Sequence, residues 1–306
     1  MRSFNNIYPW SEIETVTIDG QQMVRIPKFY VKVTPNPAGA GRRCWWVSEM
    51  KAPGYHVHPA FMHEDHEIDQ FYFSAYEASQ DAAATTKAAS LAGKSCWVNI
   101  NFSSSQNACT ARNLEGGEEE RSGWHMQTYY ERCAISLLCM IELGTPDAQG
   151  KINAGNTTTK AAVATGSSNA VWRGIHELWG NLWEWCDGYK TGADGRVLYV
   201  HDNKGKHQFI NTGIVLPTTS NNGIMQVQDA KGDNFDMTDM FVVKTTTGSS
   251  VDSVFKDGTW IAAGAEHTLL CNGAYDNAAS CGLNIQCLDT APSATSARYT
   301  FRLAKW

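Results

Sequence analysis

Three tryptophans, Trp179, Trp183 and Trp185, fall within the segment GIHELWGNLWEWCDGY at 174–189, packed around Gly180-Asn181 and Glu184. Aromatic side chains are the largest apolar contributors to a core, and turn residues set between them fold the chain back while they are buried. The block is therefore expected to be a packing centre before it is anything else. A chain of 306 residues, 42% of them hydrophobic, can bury a large core around it.

Charge and apolar patterning exclude some classes. The net charge is -6 and no run of Lys and Arg exceeds the pair Arg42-Arg43, so nothing is suited to a phosphate backbone and nucleic acid is not expected as a partner. The longest apolar run, near Ile135 to Ile141, is too short to span a bilayer, so a soluble protein with no membrane partner is expected. Residues 1–20 lack the apolar stretch of a secretory signal, which makes cytosolic synthesis the expectation. Nine cysteines are scattered along the chain and none forms a CxxC pair, so free thiols are expected, with Cys133 and Cys139 as small buried residues on a helix.

Residues 12–33 alternate in the strand manner. Val16 and Ile18 lead to a turn at Asp19-Gly20, and Met23, Val24, Ile26, Phe29, Tyr30, Val31 and Val33 follow, which predicts a hairpin. The turn PNPAGAG at 35–41 separates it from a further strand at Cys44-Trp45-Trp46-Val47, and 51–65 reads as loop. EIDQFYFSAYEAS, from Glu67, predicts a buried strand, and AAATTKAASLAG after it an exposed connection. In TYYERCAISLLCMIEL at 128–143, Tyr129, Cys133, Leu137 and Met140 stand near helical spacing, with Thr128 as cap and Gly144 as stop. Polar stretches around 145–170 and 190–256 are expected as long surface excursions, and no solenoid repeat is present.

The block at 174–189 resembles the GLxNxxGNxWEWxxD signature of the formylglycine-generating-enzyme and sulfatase-modifying-factor family, whose fold is an elaborated C-type-lectin domain. FYFSAYEAS at 71–79 is similar to that family's FYIDKYEVT strand, and GWHMQTYYERCAI at 123–135 to its GWRLPTEAEWEYA segment. NGAYDNAASCGLNIQCLDTAPSATSARYTFRLA at 272–304 is similar to its closing strands, which end in GFRLA. The resemblance spans 66–306. It implies an α+β, C-type-lectin-like domain there, loop-rich, with short antiparallel strands and few helices, and leaves 1–65 as a β-rich extension for attachment or assembly.

Copper-dependent members of that family oxidise a substrate cysteine with two thiols, because soft thiolates suit Cu(I). Cys281 matches the second thiol, but Asn277 stands in place of the first, and Cys287 lies on the wrong side in sequence to replace it. A metal-dependent oxidase or oxygenase is thus the alternative, and no catalytic residue is assigned. The resemblance also implies a structural calcium at the WEW turn, held by Glu184 and the carbonyls of Trp179, Gly180 and Leu182, oxygen ligands suited to a hard cation. A glutamate hydrogen-bonded to backbone amides is an equally good reading. No other cofactor is required. His56, His58, His63 and His66 lack HExxH spacing and read as solvated or hydrogen-bonded loop histidines, and Glu118–Glu120 as a solvated face.

Residues 271–300 contain no Lys, Glu, Met or Trp and a single Gln. Codons of the form NNY encode none of those five types, and NNY is what adenine mutagenesis makes of AAC or AAT. The segment resembles the variable region of diversity-generating-retroelement target proteins, a class that places such regions on C-type-lectin folds in phage tail and bacterial surface proteins. Apparent scaffold positions are Gly273, Cys281, Gly282, Leu283, Pro292, Phe301, Arg302 and Leu303. The expected ligand-binding set between them is Tyr275, Asp276, Asn277, Asn284, Gln286, Cys287, Asp289, Thr290, Ser293, Thr295, Ser296, Arg298 and Tyr299, the polar and aromatic mix that adaptable paratopes use. Alternation predicts Leu283 and Ile285 inward, Asn284 and Gln286 outward. The resemblance implies a receptor-recognition protein of phage tail or adhesin type that binds a host cell-surface protein or glycan. It also implies a homo-oligomer, a trimer favoured, on a virion tail or cell surface.

Overall fold

The computed structural model describes residues 3–37, 39, 43–113 and 122–306, so Arg42 and the Glu118–Glu120 run lie outside the described residues. The expected N-terminal hairpin is present as β1, Glu14–Ile18, and β2, Gln21–Pro27, with Ile18 opposite Gln21. Asp19 and Gly20 at its tip have φ of 47° and 72°. Two successive positive φ values make the turn whose twist matches that of the flanking strands, and Asp-Gly adopts them readily. The apolar run beyond does not continue the same strand. Pro27, without an N–H for the ladder, ends β2, and the chain restarts as β3, Tyr30–Pro35, paired with β4, Arg43–Ser48.

The aromatic strand is β5, Gln70–Ser74, which pairs with β2. It also pairs with the last strand, Leu303–Lys305, which in turn meets β6, Trp124–Met126, closing a five-stranded sheet. Residues of 1–65 thus share a sheet and a core with the rest: Trp10, Val24, Phe29 and Val31 cluster with Phe71, Phe73 and Leu138. A helix not foreseen, α1, Phe102–Thr110, is capped by the Asn101 side chain. The expected helix is α2, Tyr129–Leu143, with a reciprocal Thr128/Glu131 capping box and Gly144 at φ 69° as its left-handed stop. Every residue from Tyr129 to Cys139 is buried, as befits a helix sunk in the core rather than one with a solvated face.

The second half builds a nine-stranded sheet. In chain order it contains β7, Trp183–Thr191; β8, Val197–His201; β9, Phe209–Val215; β10, Thr219–Val227; and β11, Val243–Thr247. It continues with β12, Gly258–Ile261; β13, Thr268–Cys271; β14, Gln286–Leu288; and β15, Tyr299–Phe301, before the closing β16, Leu303–Lys305, of the first sheet. The spatial order is β9-β8-β7-β13-β14-β12-β10-β11, with β15 pairing β7 in parallel. The stretch 190–256, expected as surface excursion, supplies four of these strands. Its polar residues alternate with Leu198, Val200, Ile224, Val227 and Val243, which are buried, so apolar content understated its order. The fold is sheet-dominated with few helices. No helix among the described residues is long and apolar enough to cross a membrane.

Candidate functional site

The WEW block is held by a buried ionic network. Glu184 is fully buried and accepts from Arg302 Nε at 2.6 Å, Arg132 Nη1 at 3.3 Å and Gln127 Nε2 at 3.1 Å. Arg302 Nη2 also donates to the carbonyls of His176 and Glu177, at 2.5 and 2.8 Å, and Arg132 Nη2 to Leu178 O at 2.6 Å. Asn272 Nδ2 donates to the carbonyls of Gly180 and Leu182, at 2.7 and 3.1 Å. These donors occupy atoms on which the calcium expectation rests. Its carboxylate is neutralised by two guanidinium groups and two of its three carbonyls are occupied by an amide, so a dication would displace these donors and enter a site that already holds two positive charges.

The same block sets the floor of a cleft. In the parallel pairing of β7 with β15, Trp183 lies opposite Tyr299. Across the neighbouring strands Leu270 pairs with Cys287, and Cys287 with Trp260. These five side chains line one concavity of about 190 Å³, whose rim is Asn277, Asp289 and Arg298. Trp183, 6% exposed, meets Trp260 edge to face, with centroids 5.5 Å apart and planes at 89°. On the rim, Arg298 Nη2 pairs with Asp276 and stands 3.5 Å from Asn277 Oδ1, and its guanidinium lies 5.7 Å over the Tyr275 ring. Asp289 Oδ1 accepts from the Cys287 thiol and the Thr290 hydroxyl, each at 2.9 Å.

The expected ligand-binding residues therefore divide. Tyr275, Asp276, Asn277, Asp289, Arg298 and Tyr299 gather at the cleft, with Cys287 in its floor. Asn284, Gln286 and Thr290 are buried, which corrects the expectation that Asn284 and Gln286 point outward. β14 is an interior strand between β13 and β12, so its alternation separates two covered faces rather than core from water. Gln286 is a structural cross-link: its amide donates to Phe241 O at 2.6 Å and its oxygen accepts from Tyr189 Oη at 3.0 Å. Ser293 and Thr295 are exposed and Ser296 is half-buried, on a loop outside the cleft walls. Trp260 was missed, since it precedes the biased segment and sits in an ordinary apolar strand, GTWI. The size and setting of Trp183 in the sequence mark it only as core.

Cys281, the one thiol matching the oxidase pattern, is buried and donates to Ala274 O at 3.4 Å; burial pushes its pKa up. All nine cysteines are free. His56 Nε2 bonds Asp239 at 2.8 Å, His58 is buried and His63 stacks on Trp306 with centroids 4.3 Å apart. His56, Asp236 and Asp239 bring three ligand-type atoms within 4.8 Å, but Asp236 is already engaged by Lys231 and Thr238.

No family model matches the chain, and no curated protein matches it. Among solved structures it is similar to PvdO from Pseudomonas aeruginosa, at 13% identity and a TM-score of 0.41, over 95% of this chain and 97% of that one. It is also similar to the Major Tropism Determinant P3c variant, at 13% identity and a TM-score of 0.37, over 77% of this chain and 50% of that one. Treponema denticola variable protein 1 aligns at 11% identity with a TM-score of 0.35, over 95% of this chain and 98% of that one.

Proposed function

We propose that the chain is a recognition protein of C-type-lectin-like fold whose binding surface is the cleft at Trp183, Trp260 and Tyr299 with its rim at 275–277, 289 and 298. One observation carries the reading. Five side chains from the biased segment 271–300, Asn277, Cys287, Asp289, Arg298 and Tyr299, line one partly exposed concavity, with Tyr275 and Asp276 held to it through Arg298, while intervening residues such as Leu283, Ile285 and Gln286 are buried. Tyr and Arg at such a rim are the types that dominate interface hot spots. The oxidase alternative has less support, because Cys281 is buried and Asn277 caps the backbone N–H of Ala274 at 2.8 Å.

In this reading a retroelement diversifies the rim, and the partner is a host cell-surface molecule. The protein acts on a virion tail or cell surface as a homo-oligomer, a trimer favoured, since multivalency raises avidity by about 10²–10⁴ without new contacts. The flanking DNA tests it. A near-copy of the codons for 271–300, carrying adenines where the two copies differ and lying beside a reverse transcriptase gene, is expected. The differences should fall at Tyr275, Asp276, Asn277, Asp289, Arg298 and Tyr299; a copy differing mainly at the codons for Leu283, Ile285 and Gln286, or no copy at all, removes the diversification reading. Recognition itself is tested by labelled protein on a panel of bacterial cells: Tyr275→Ala with Arg298→Ala should abolish surface binding while leaving the melting temperature unchanged.

A further inference from the structure

We infer that the cleft takes an alkylammonium group, the side chain of a lysine displayed by a protein partner. This rests on the recognition reading above and names the chemistry that the site selects. The floor is aromatic: Trp183 and Trp260 stand perpendicular with centroids 5.5 Å apart, and Tyr299 continues the row. An ammonium beside such rings is attracted by their quadrupole, and a methylene stem packs along the same surface.

The rim supplies a carboxylate without a cation. Asp289 makes no ion pair among the described residues; its Oδ1 is engaged by two neutral donors, Cys287 and Thr290, and no bond of Oδ2 is seen there. The rim's own cation, Arg298, is turned to Asp276 and Tyr275. Of the titratable groups that sense Asp289, His267 is held toward its neutral form by burial, and the Cys287 thiol is held neutral by burial and by Asp289 itself. Arg298, Asp276 and Asp289 together leave the rim one negative charge, and the chain's net charge of -6 acts in the same direction on an approaching cation. At about 190 Å³ the cleft is smaller than the roughly 300–1,000 Å³ of pockets for drug-sized ligands, which suits one side chain rather than an oligosaccharide. An apolar side chain would fill the floor but leave Asp289 desolvated and unpaired.

The test is a titration of the full chain at pH 7, read by tryptophan fluorescence and saturation-transfer NMR. The probes are Nα-acetyl-lysine methylamide, its uncharged norleucine counterpart, glucosamine and methyl glucoside. The lysine probe should saturate with a Kd of about 1–10 mM, the range open to so small a ligand. The norleucine probe should bind at least tenfold more weakly. Asp289→Asn, which keeps Oδ1 for Cys287 and Thr290, should weaken the lysine probe at least tenfold with no change in melting temperature; Trp260→Ala should weaken it likewise, with a fall in melting temperature because the ring packs on Trp183. Equal binding of lysine and norleucine probes, an unaltered Asp289→Asn, or tighter binding of glucosamine or methyl glucoside than of the lysine probe would overturn the inference. If the lysine probe fails while Tyr275→Ala with Arg298→Ala still abolishes cell binding, only the ligand class is wrong. If that double variant binds cells normally, the recognition reading fails as well.

Discussion

His58 should make the protein lose stability in mild acid by an amount that one substitution can isolate. Its side chain is 1% exposed, its Nδ1 accepts from Ala60 N at 3.2 Å to cap the turn Pro59–Phe61, and its ring lies 5.3 Å from that of Phe29. Burial, with the nearby His56 adding in the same direction, lowers its pKa from 6.5 to about 3. In the unfolded chain it protonates below pH 6.5, whereas in the folded chain it stays neutral until about pH 3, so between these values the unfolded state binds more protons. The contribution is fully present above pH 6.5 and is lost as pH falls toward 3. At 1.36 kcal/mol per pH unit the loss reaches about 5 kcal/mol, comparable to the whole stability of a marginal domain.

His58→Asn keeps a capping acceptor but removes both ring and titration. It should cost about 1–3 kcal/mol at pH 7.5 through lost packing. The deficit should then shrink with acid, and the two stabilities should cross near pH 5, at about 1.4 kcal/mol per pH unit. Urea unfolding followed by tryptophan fluorescence at pH 7.5, 6, 5 and 4 measures this. Other groups titrate in both proteins and cancel in the difference: His207, lowered to about 4 by burial, acts in the same direction as His58, and buried Glu77, whose pKa is raised, acts in the opposite one. Stability curves that stay parallel from pH 7.5 to 4 would refute the reasoning.

Arg302→Leu leaves Glu184 with one guanidinium and should cost about 3–5 kcal/mol, seen as a large fall in the urea midpoint; a shift of under about 1 kcal/mol would mean that Arg132 alone neutralises the carboxylate. Trp183→Ala should cost about 3–5 kcal/mol, and an unchanged melting temperature would show that the block is not core. At Gly282 an added Cβ would fall 1.6 Å from Asp257 Oδ1, so Gly282→Ala should displace the carboxylate that accepts Asn284 N and destabilise by about 1–3 kcal/mol. Gly248→Ala, where nothing lies within 4 Å, is its control, expected within about 0.5 kcal/mol of wild type by thermal melting.

What could be read from the sequence was local. Asp19-Gly20 specifies its turn, Thr128, Glu131 and Gly144 delimit α2 through backbone groups a few residues away, and the WEW block announces burial by side-chain size. What could not be read depends on distant partners. Alternation along 283–286 is the same whether a strand has one wet face or none, and only pairing with β12 and β13 on both sides decides it. Glu184 looks the same from its neighbours whether it meets calcium or arginine, because Arg132 and Arg302 lie 52 and 118 residues away. Trp260 reaches the cleft through a register that no nearby residue encodes.

In the recognition reading proposed above, the Glu184 network explains how rim residues can vary without loss of the fold. A buried ion pair adds little net stability compared with apolar packing, but an unpaired buried charge is costly, so the network penalises any register other than the one observed. That register sets Trp183 opposite Tyr299 and Glu184 opposite Thr300, and Arg302, two residues further on, closes onto Glu184. A slip of one residue between β7 and β15 would turn the Tyr299 side chain to the other face and break the lock. The floor of the cleft is thus fixed from beneath by charge. Rim residues such as Asp276 and Asp289 are exposed, so exchanges there remove little buried contact and should cost within about 0.5 kcal/mol each. Gln286 and Asn284 belong to the core and cannot be exchanged on those terms, so substitutions should be tolerated at the rim and not along 284–286.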